Sequence, residues 1–322
     1  MAALFGRAAV PARAGARRGA RACAAAPAVP QPAPRATSVL PRRAALALAP
    51  VAAALALALP AAAAPAAAAE AAEAAPAVFV VRLGPDDPAS RAFGSVSAAL
   101  EAAPAGATVR VEAGYYGERL VVTRPVTLEA APGAEGRVVV EHQTEAPYEA
   151  TLQVDAPGVR VRGFKLRHAS PSVASDYCVL VRAGGAAALE RCDVSSATGS
   201  GLGAEGGVVT ATACRLAGCK LHGAAFFGDL DGESAGECAL SGCQLEDNGA
   251  CGALVRDGAA AALRSCTLAN NAAFGLEVVD AAVTLVGCTV RANRKGALLL
   301  ERPRGLDMEA NAIDVAPVVR GV

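Results

Sequence analysis

The chain has 322 residues, enough for one large or two small domains, and is rich in Ala, Gly and Val with no Trp and only four Tyr. Its formal charge is zero but unevenly placed: residues 1–69 carry eight Arg and no acidic group, which leaves 22 basic against 30 acidic residues, a net of −8, over 70–322. An acidic body of this kind excludes a nucleic-acid surface, which needs clustered Lys and Arg to replace phosphate counterions.

Taken in chain order, residues 1–43 have the Arg-, Ala- and Pro-rich, acid-free composition of an organelle transit peptide. Arg42-Arg43 then precede the apolar run AALALAPVAAALALAL (44–59), and small residues suited to signal cleavage follow. This two-part leader resembles the targeting sequences of thylakoid-lumen proteins, so the expected location is the chloroplast, in the thylakoid lumen; a secreted or periplasmic export signal is the alternative. Pro50, Pro60 and Pro65 interrupt the apolar run, so no membrane span is expected after processing. Residues 1–69 are read as targeting sequence and 70–322 as the folded domain.

The folded part opens with a short amphipathic helix over 95–103, capped by Ser95 and stopped by Pro104 and Gly106. Short alternating runs follow, Thr108-Val109-Arg110-Val111 first. Further on the chain repeats itself. Aligned on cysteine, the copies are Leu189-x-x-Cys192-x-Val194, Thr212-x-Cys214-x-Leu216, Cys243-x-Leu245, Leu263-x-x-Cys266-x-Leu268 and Leu285-x-x-Cys288-x-Val290, with Asn311 in the cysteine place of a last copy. The spacings are 22, 29, 23, 22 and 23, and Val161-x-x-Phe164-x-Leu166 fits the same slot upstream.

Runs of two to four alternating residues separated by Gly, Asn or Asp are strand–turn–strand units. A unit of this size cannot bury its own apolar face, but stacking copies in register buries a continuous core. The reading is an all-β chain, a single-stranded right-handed parallel β-helix of roughly eight coils at about 22–23 residues per coil, most regular over 161–316, with a helical N-terminal cap. Matched side chains then stack: Cys192, Cys214, Cys243, Cys266 and Cys288 as an internal ladder, and Asn248, Asn271 and Asn293 as a ladder at a turn. Gly223, Gly252, Gly275 and Gly296, eight or nine residues after their cysteines, are expected to supply positive φ there.

Over 78–316 the sequence resembles the pectin-lyase-like β-helix superfamily, and within it the carbohydrate-binding and sugar-hydrolase repeat domain also found in nitrous-oxide-reductase accessory and F-box proteins. The stretch Phe93…Ser97-Ala98-Ala99-Leu100…Gly106…Val109-Arg110-Val111…Gly114-x-Tyr116-x-Glu118 looks like the start of these domains and of pectin methylesterases. The catalytic signatures depart. The Gln-Asp-Thr and Asp-Phe-Ile-Phe-Gly segments of pectin methylesterases and the Asp-Pro-His-Asp of alginate epimerases do not occur, and Leu221-His222-Gly223 stands nearest to the Gly-His-Gly of polygalacturonases without its aspartate pair.

Insertions in solenoids emerge as loops, often on the binding face. Two intervals carry them, 167–177 and 226–238. The candidate ligand-binding residues are therefore His222, Asp229, Asp231 and Glu233 with the second, and His168 and Tyr177 with the first. Asp229-x-Asp231 has the oxygen-rich look of a weak calcium site but lacks the remaining ligands of a calcium loop; no other metal or cofactor is expected, and a solvated polar loop is the plainer reading. Cys178, Cys219, Cys238 and Cys251 stand off the ladder and are the candidates for redox or disulfide chemistry. With the catalytic motifs missing, the expected role is a non-catalytic scaffold presenting one solenoid face to a protein or glycan. The alternative is a polysaccharide-modifying lyase, epimerase or esterase acting at the two insertions. The scarcity of aromatic residues weighs against sugar-stacking platforms.

Overall fold

A computed structural model describes residues 76–171, 176–228 and 237–320. All of them lie in the unit formed by residues 69–322; the proposed leader, 1–69, lies outside the described residues. Among them, no helix is long and apolar enough to cross a membrane.

The chain winds as a right-handed parallel β-helix with three sheets, of eleven, nine and nine strands, here called A, B and C. Coil 1 consists of Thr108–Val111 on sheet A, Gly114–Tyr116 on B and Leu120–Val122 on C; coil 9 closes the series with Gly305–Glu309, Ala312–Ile313 and Val318–Arg320. That is one coil more than the repeat suggested, because the first coils carry no cysteine by which to align them. Two strands, Val78–Val81 and Ala92–Phe93, extend sheet A beyond coil 1. Helix Val96–Ala102 packs at the same end. Its start is held twice: Ser95 accepts from the Ala98 N–H at 3.2 Å, and the Glu118 carboxylate accepts from the N–H groups of Val96 and Ser97 at 2.8 Å each and from the Ser97 hydroxyl. The free amide donors of a helix start suit a carboxylate, so Glu118 of the Gly-x-Tyr-x-Glu motif serves the cap.

Inside, like stacks on like. Leu128, Val161, Leu189, Ala211, Leu240, Leu263 and Leu285 pair in register up sheet A, and each is buried. A fully buried leucine contributes about 1.5–3 kcal/mol, so the column alone stabilises the register: a one-residue slip would turn every one of these side chains outward.

The corners explain the repeat. At the A-to-B corner the residue before the ladder position has left-handed φ each time: Gly163, Arg191, Ala213, Gly242, Ser265, Gly287 and Ala310 lie between 50° and 78°. The bend leaves room for a small side chain, and Cys192, Cys214, Cys243, Cys266 and Cys288 fill it, all buried. Their thiols reach main-chain carbonyls, as Cys266 Sγ does to Arg264 O at 3.3 Å. At the B-to-C corner Asn248, Asn271 and Asn293 form a bonded ladder. Asn271 Oδ1 accepts from Asn248 N at 3.1 Å and Nδ2 at 3.0 Å, while Asn271 Nδ2 donates to Leu245 O at 3.0 Å and Asn293 Oδ1 at 2.9 Å.

The glycines of that corner need a different explanation from the one the sequence suggested. Of the four, only Gly296 has positive φ (139°). The left-handed residues are the ones just before the ladder, Gly218, Asp247, Asn270 and Ala292. Gly223, Gly252 and Gly275 are glycine for lack of space: a Cβ on Gly252 would stand 2.7 Å from Gly275 O and 2.9 Å from Asn271 Nδ2.

Candidate functional site

The B-to-C corner changes character in coils 2 and 3. There the sheet B strands lengthen to Val138–Gln143 and Phe164–Ala169, against Gln244–Glu246 or Thr267–Ala269 later on. The turn that follows in coil 2 lengthens too, to 144–151, whereas coils 1 and 4 turn within 117–119 and 197–199. The longer strands add one more inward position, occupied by His142 in coil 2, His168 in coil 3 and Ser196 in coil 4, which are register partners. The corner position held by asparagine in later coils is thus held here by stacked imidazoles, with ring centroids 6.3 Å apart.

Around His142 the site is open. Glu149, from the long turn, has its side chain 28% exposed and places Oε2 3.1 Å from His142 Nε2. The same oxygen accepts from Thr144 Oγ1 at 2.6 Å, and Oε1 receives Arg119 at 3.1 Å. The Thr144 hydroxyl first, then His142 and the Arg119 guanidinium, hold the Glu149 carboxyl below its ordinary range. An ionised carboxylate only accepts hydrogen bonds, so His142 Nε2 carries the hydrogen that faces it. In the neutral ring Nδ1 is then the basic nitrogen, and no described residue is hydrogen-bonded to it. Arg119 also donates to Gln153 Oε1 at 2.9 Å, and Gln153 to Asp155 at 2.6 Å. A shallow cleft of about 200 Å³, lined by Ser97, Leu100, Glu101, Arg119, Val121, Val122, Thr123 and Arg124, borders the cluster through Arg119.

One coil on, the site is sealed. His168 Nε2 and Asp176 Oδ1 lie 3.1 Å apart with side chains 0% and 3% exposed. They approach closely without the alignment of a full hydrogen bond, and neither atom has another aligned partner. His168 Nδ1 meets Thr151 Oγ1 at 3.2 Å, and that hydroxyl donates to Arg167 O at 2.7 Å. Burial pushes His168 down to about 4, with His142 adding to the effect and Glu149 opposing it. Burial pushes Asp176 up, partly opposed by the Thr198 hydroxyl. Gly199 makes room for this arrangement: a Cβ there would overlap the Asp176 carbonyl oxygen.

The candidates chosen from sequence fall in several places. His168 belongs to the cluster but is shut away from solvent. Tyr177 does not present a sugar platform: it is buried with Ala150, Leu180, Ala225 and Leu254, and its ring fills the space over Gly203. Burial, then Glu205, raises its phenol. His222 sits two coils further along, accepting from the Cys251 N–H at 3.3 Å through Nδ1. Burial lowers its pKa, with Glu277 opposing and Arg256 adding. Asp229, Asp231 and Glu233, including the calcium candidates, lie outside the described residues. Part of the 167–177 interval is strand rather than loop, since Phe164–Ala169 runs through 169 and Tyr177–Arg182 begins at 177. Most of the 226–238 insertion, 229–236, and residues 172–175 of the first lie outside the described residues. The off-ladder cysteines sit in surroundings that disfavour the thiolate. Cys178, Cys219, Cys238 and Cys251 are unpaired and buried, and burial pushes the thiols up, to about 11 for Cys219 and about 12 for Cys238 and Cys251. Little thiolate means little reactivity. No group of three or more metal-ligating side chains occurs among the described residues.

Sequence reasoning missed His142, Glu149, Arg119 and Gln153. A signal existed for the first: Val140-x-His142 and Leu166-x-His168 repeat 26 residues apart.

Residues 152–313 match the family described as right handed beta helix region, and the chain belongs to it. No curated protein matches. Among solved structures it is similar to pectin methylesterase PemA from Erwinia chrysanthemi, at 13% identity over 71% of this chain and 80% of that one, with a TM-score of 0.48. It is also similar to the pectin methylesterase from carrot, at 13% identity over 77% and 89%, TM-score 0.47. A periplasmic alginate epimerase, AlgG, matches at 10% identity over 73% of this chain and 54% of that one, TM-score 0.45. At such identities the likeness is one of fold. The expectation of a non-catalytic scaffold is corrected nonetheless. In this chain an imidazole, a carboxylate and a guanidinium converge at one open corner, which a flat presenting face does not require.

Proposed function

We propose that the protein is a polysaccharide-modifying enzyme whose proton chemistry is done by His142. The observation that carries this reading is the convergence on Glu149. Its carboxylate, held ionised by Thr144 and Arg119, takes the Nε2 hydrogen of His142 and leaves Nδ1 as the base. A carboxylate behind an imidazole fixes the tautomer and stabilises the imidazolium that forms when Nδ1 takes a proton. The sealed His168–Asp176 pair beneath holds the corner rigid and dry on its inner side, and the cleft beside Arg119 gives a glycan chain a place to lie along the first coils.

The test is turnover of pectin and alginate by the full chain. Methanol release, unsaturated products and changes in uronate stereochemistry would each be followed. His142→Gln and Glu149→Gln should each lower the rate by about 10²–10⁴-fold, the usual contribution of a positioned base, with the melting temperature retained. Turnover unchanged in both variants would sink the assignment.

A further inference from the structure

We propose that Tyr148 is a glycan-stacking residue at the rim of the His142–Glu149 site, binding the apolar face of a sugar ring; this rests on the reading of the site given above. Twelve described non-glycine residues have left-handed φ. Ten of them are demanded by the solenoid. Arg191, Ala213, Ser265 and Ala310 turn the A-to-B corner, Asp247, Asn270 and Ala292 the B-to-C corner, and Asp257, Asp280 and Arg302 the C-to-A corner. Arg91 ends the short helical turn Pro88–Ser90. Tyr148, at φ 62°, recurs at no corner and is the sole aromatic among the twelve. A bulky side chain is disfavoured there, and glycine would hold the same backbone without strain. An unforced outlier of this kind argues for a use of the side chain.

The ring's position supports the same conclusion. Tyr148 is 57% exposed, so packing does not explain it. It directly precedes Glu149, whose carboxylate meets Arg119, Thr144 and His142. Pro147 on one side and the buried Ala150 and Thr151 on the other hold the turn, so the ring is presented on a stiff support. In a chain with no Trp and four Tyr, this places a scarce aromatic beside the open His142–Glu149–Arg119 cluster. Tyr115, also exposed at 58%, differs in that its hydroxyl faces Glu141. A phenol ring presents an apolar face and a polar edge, which is what a pyranose offers in return.

Migration of the full chain in native gels containing pectin, alginate, xylan or hydroxyethyl cellulose gives the affinity. Tyr148→Phe should bind as the parent does. Tyr148→Ala should bind about three- to tenfold more weakly, the range expected for one aromatic contact. Tyr148→Gly should bind as weakly while melting at the same temperature or higher, because the backbone strain is gone. Retardation of the parent matched by Tyr148→Ala would overturn the proposal, as would a parent retarded by none of the four polymers, or a lower melting temperature for Tyr148→Gly. The underlying reading fails separately: if His142→Gln and Glu149→Gln both keep full turnover while Tyr148→Ala loses affinity, the glycan site stands and the His142 assignment falls.

Discussion

Replacing Asp176 by Asn tests what the buried pair at the coil 3 corner carries. Thr151 gives its single hydroxyl hydrogen to Arg167 O, so His168 Nδ1 must donate to Thr151. His168 Nε2 is then a bare lone pair facing Asp176 at 3.1 Å. An ionised Asp176 would be buried there with no aligned donor, at a cost of several kcal/mol; a protonated one avoids that charge. Burial favours the uncharged form of each group, raising Asp176 and lowering His168 to about 4; the pH dependence that follows is that of a pair holding one proton, on Asp176. In the unfolded chain the groups titrate near 3.9 and 6.5. The raised Asp176 contributes stability that is full below about 3.9 and is lost as pH rises through its folded value. The depressed His168 contributes stability that is full above about 6.5 and is lost as pH falls through about 4.

Summed, and for as long as Asp176 stays protonated, the parent pair adds no pH dependence between about 4 and 6.5, where folded and unfolded chains each hold one proton. Above that, folding takes up a proton, and stability declines by about 1.4 kcal/mol per pH unit while the pair stays protonated. Asn has nearly the shape of the acid, stays uncharged and carries no titratable proton. The variant should therefore gain on the parent by about 1.4 kcal/mol per pH unit from pH 5 up to the pH at which the folded Asp176 ionises. Urea unfolding at four pH values, with unchanged m, gives the difference directly. A difference that is the same at every pH would show that Asp176 is ionised in the folded protein and would refute the reasoning.

The ladders give two further expectations. Asn271→Ala strands the buried Asn248 N–H and Leu245 carbonyl and should cost about 3 kcal/mol, at about 1–3 per unsatisfied group; an unchanged melting temperature would contradict the bonded ladder. Cys266→Asp puts a carboxyl into a corner where the side chain is 1% exposed and should abolish cooperative melting at neutral pH, whereas Cys266→Ala should cost only about 1 kcal/mol for the lost volume.

Much of the architecture was legible because a solenoid writes its contacts into sequence twice. Period-2 alternation sets which side chains face inward, and the 22- to 23-residue recurrence sets which of them stack. Leu263 over Leu285 and Asn248 over Asn271 follow from those periods alone. The glycines did not, because a position can require glycine either for its φ or for the absence of Cβ. Only the neighbouring coil, with Asn271 Nδ2 against Gly252, decides which.

The candidate site lies where the repeat lapses. His142 was within reach of the pattern, as an echo of His168. Glu149 and Arg119, 30 residues apart, were not: a long turn has no period, so nothing in its sequence says which way a side chain points. The left-handed bend at Tyr148, the lengthened strands of coils 2 and 3 and the space left by Gly199 settle that direction together. Sequence by itself determined the coil, its core and its ladders, since those depend on residues repeated at fixed intervals. Tertiary structure alone decided which charged groups meet and which are sealed from water, because those outcomes depend on turns that occur once.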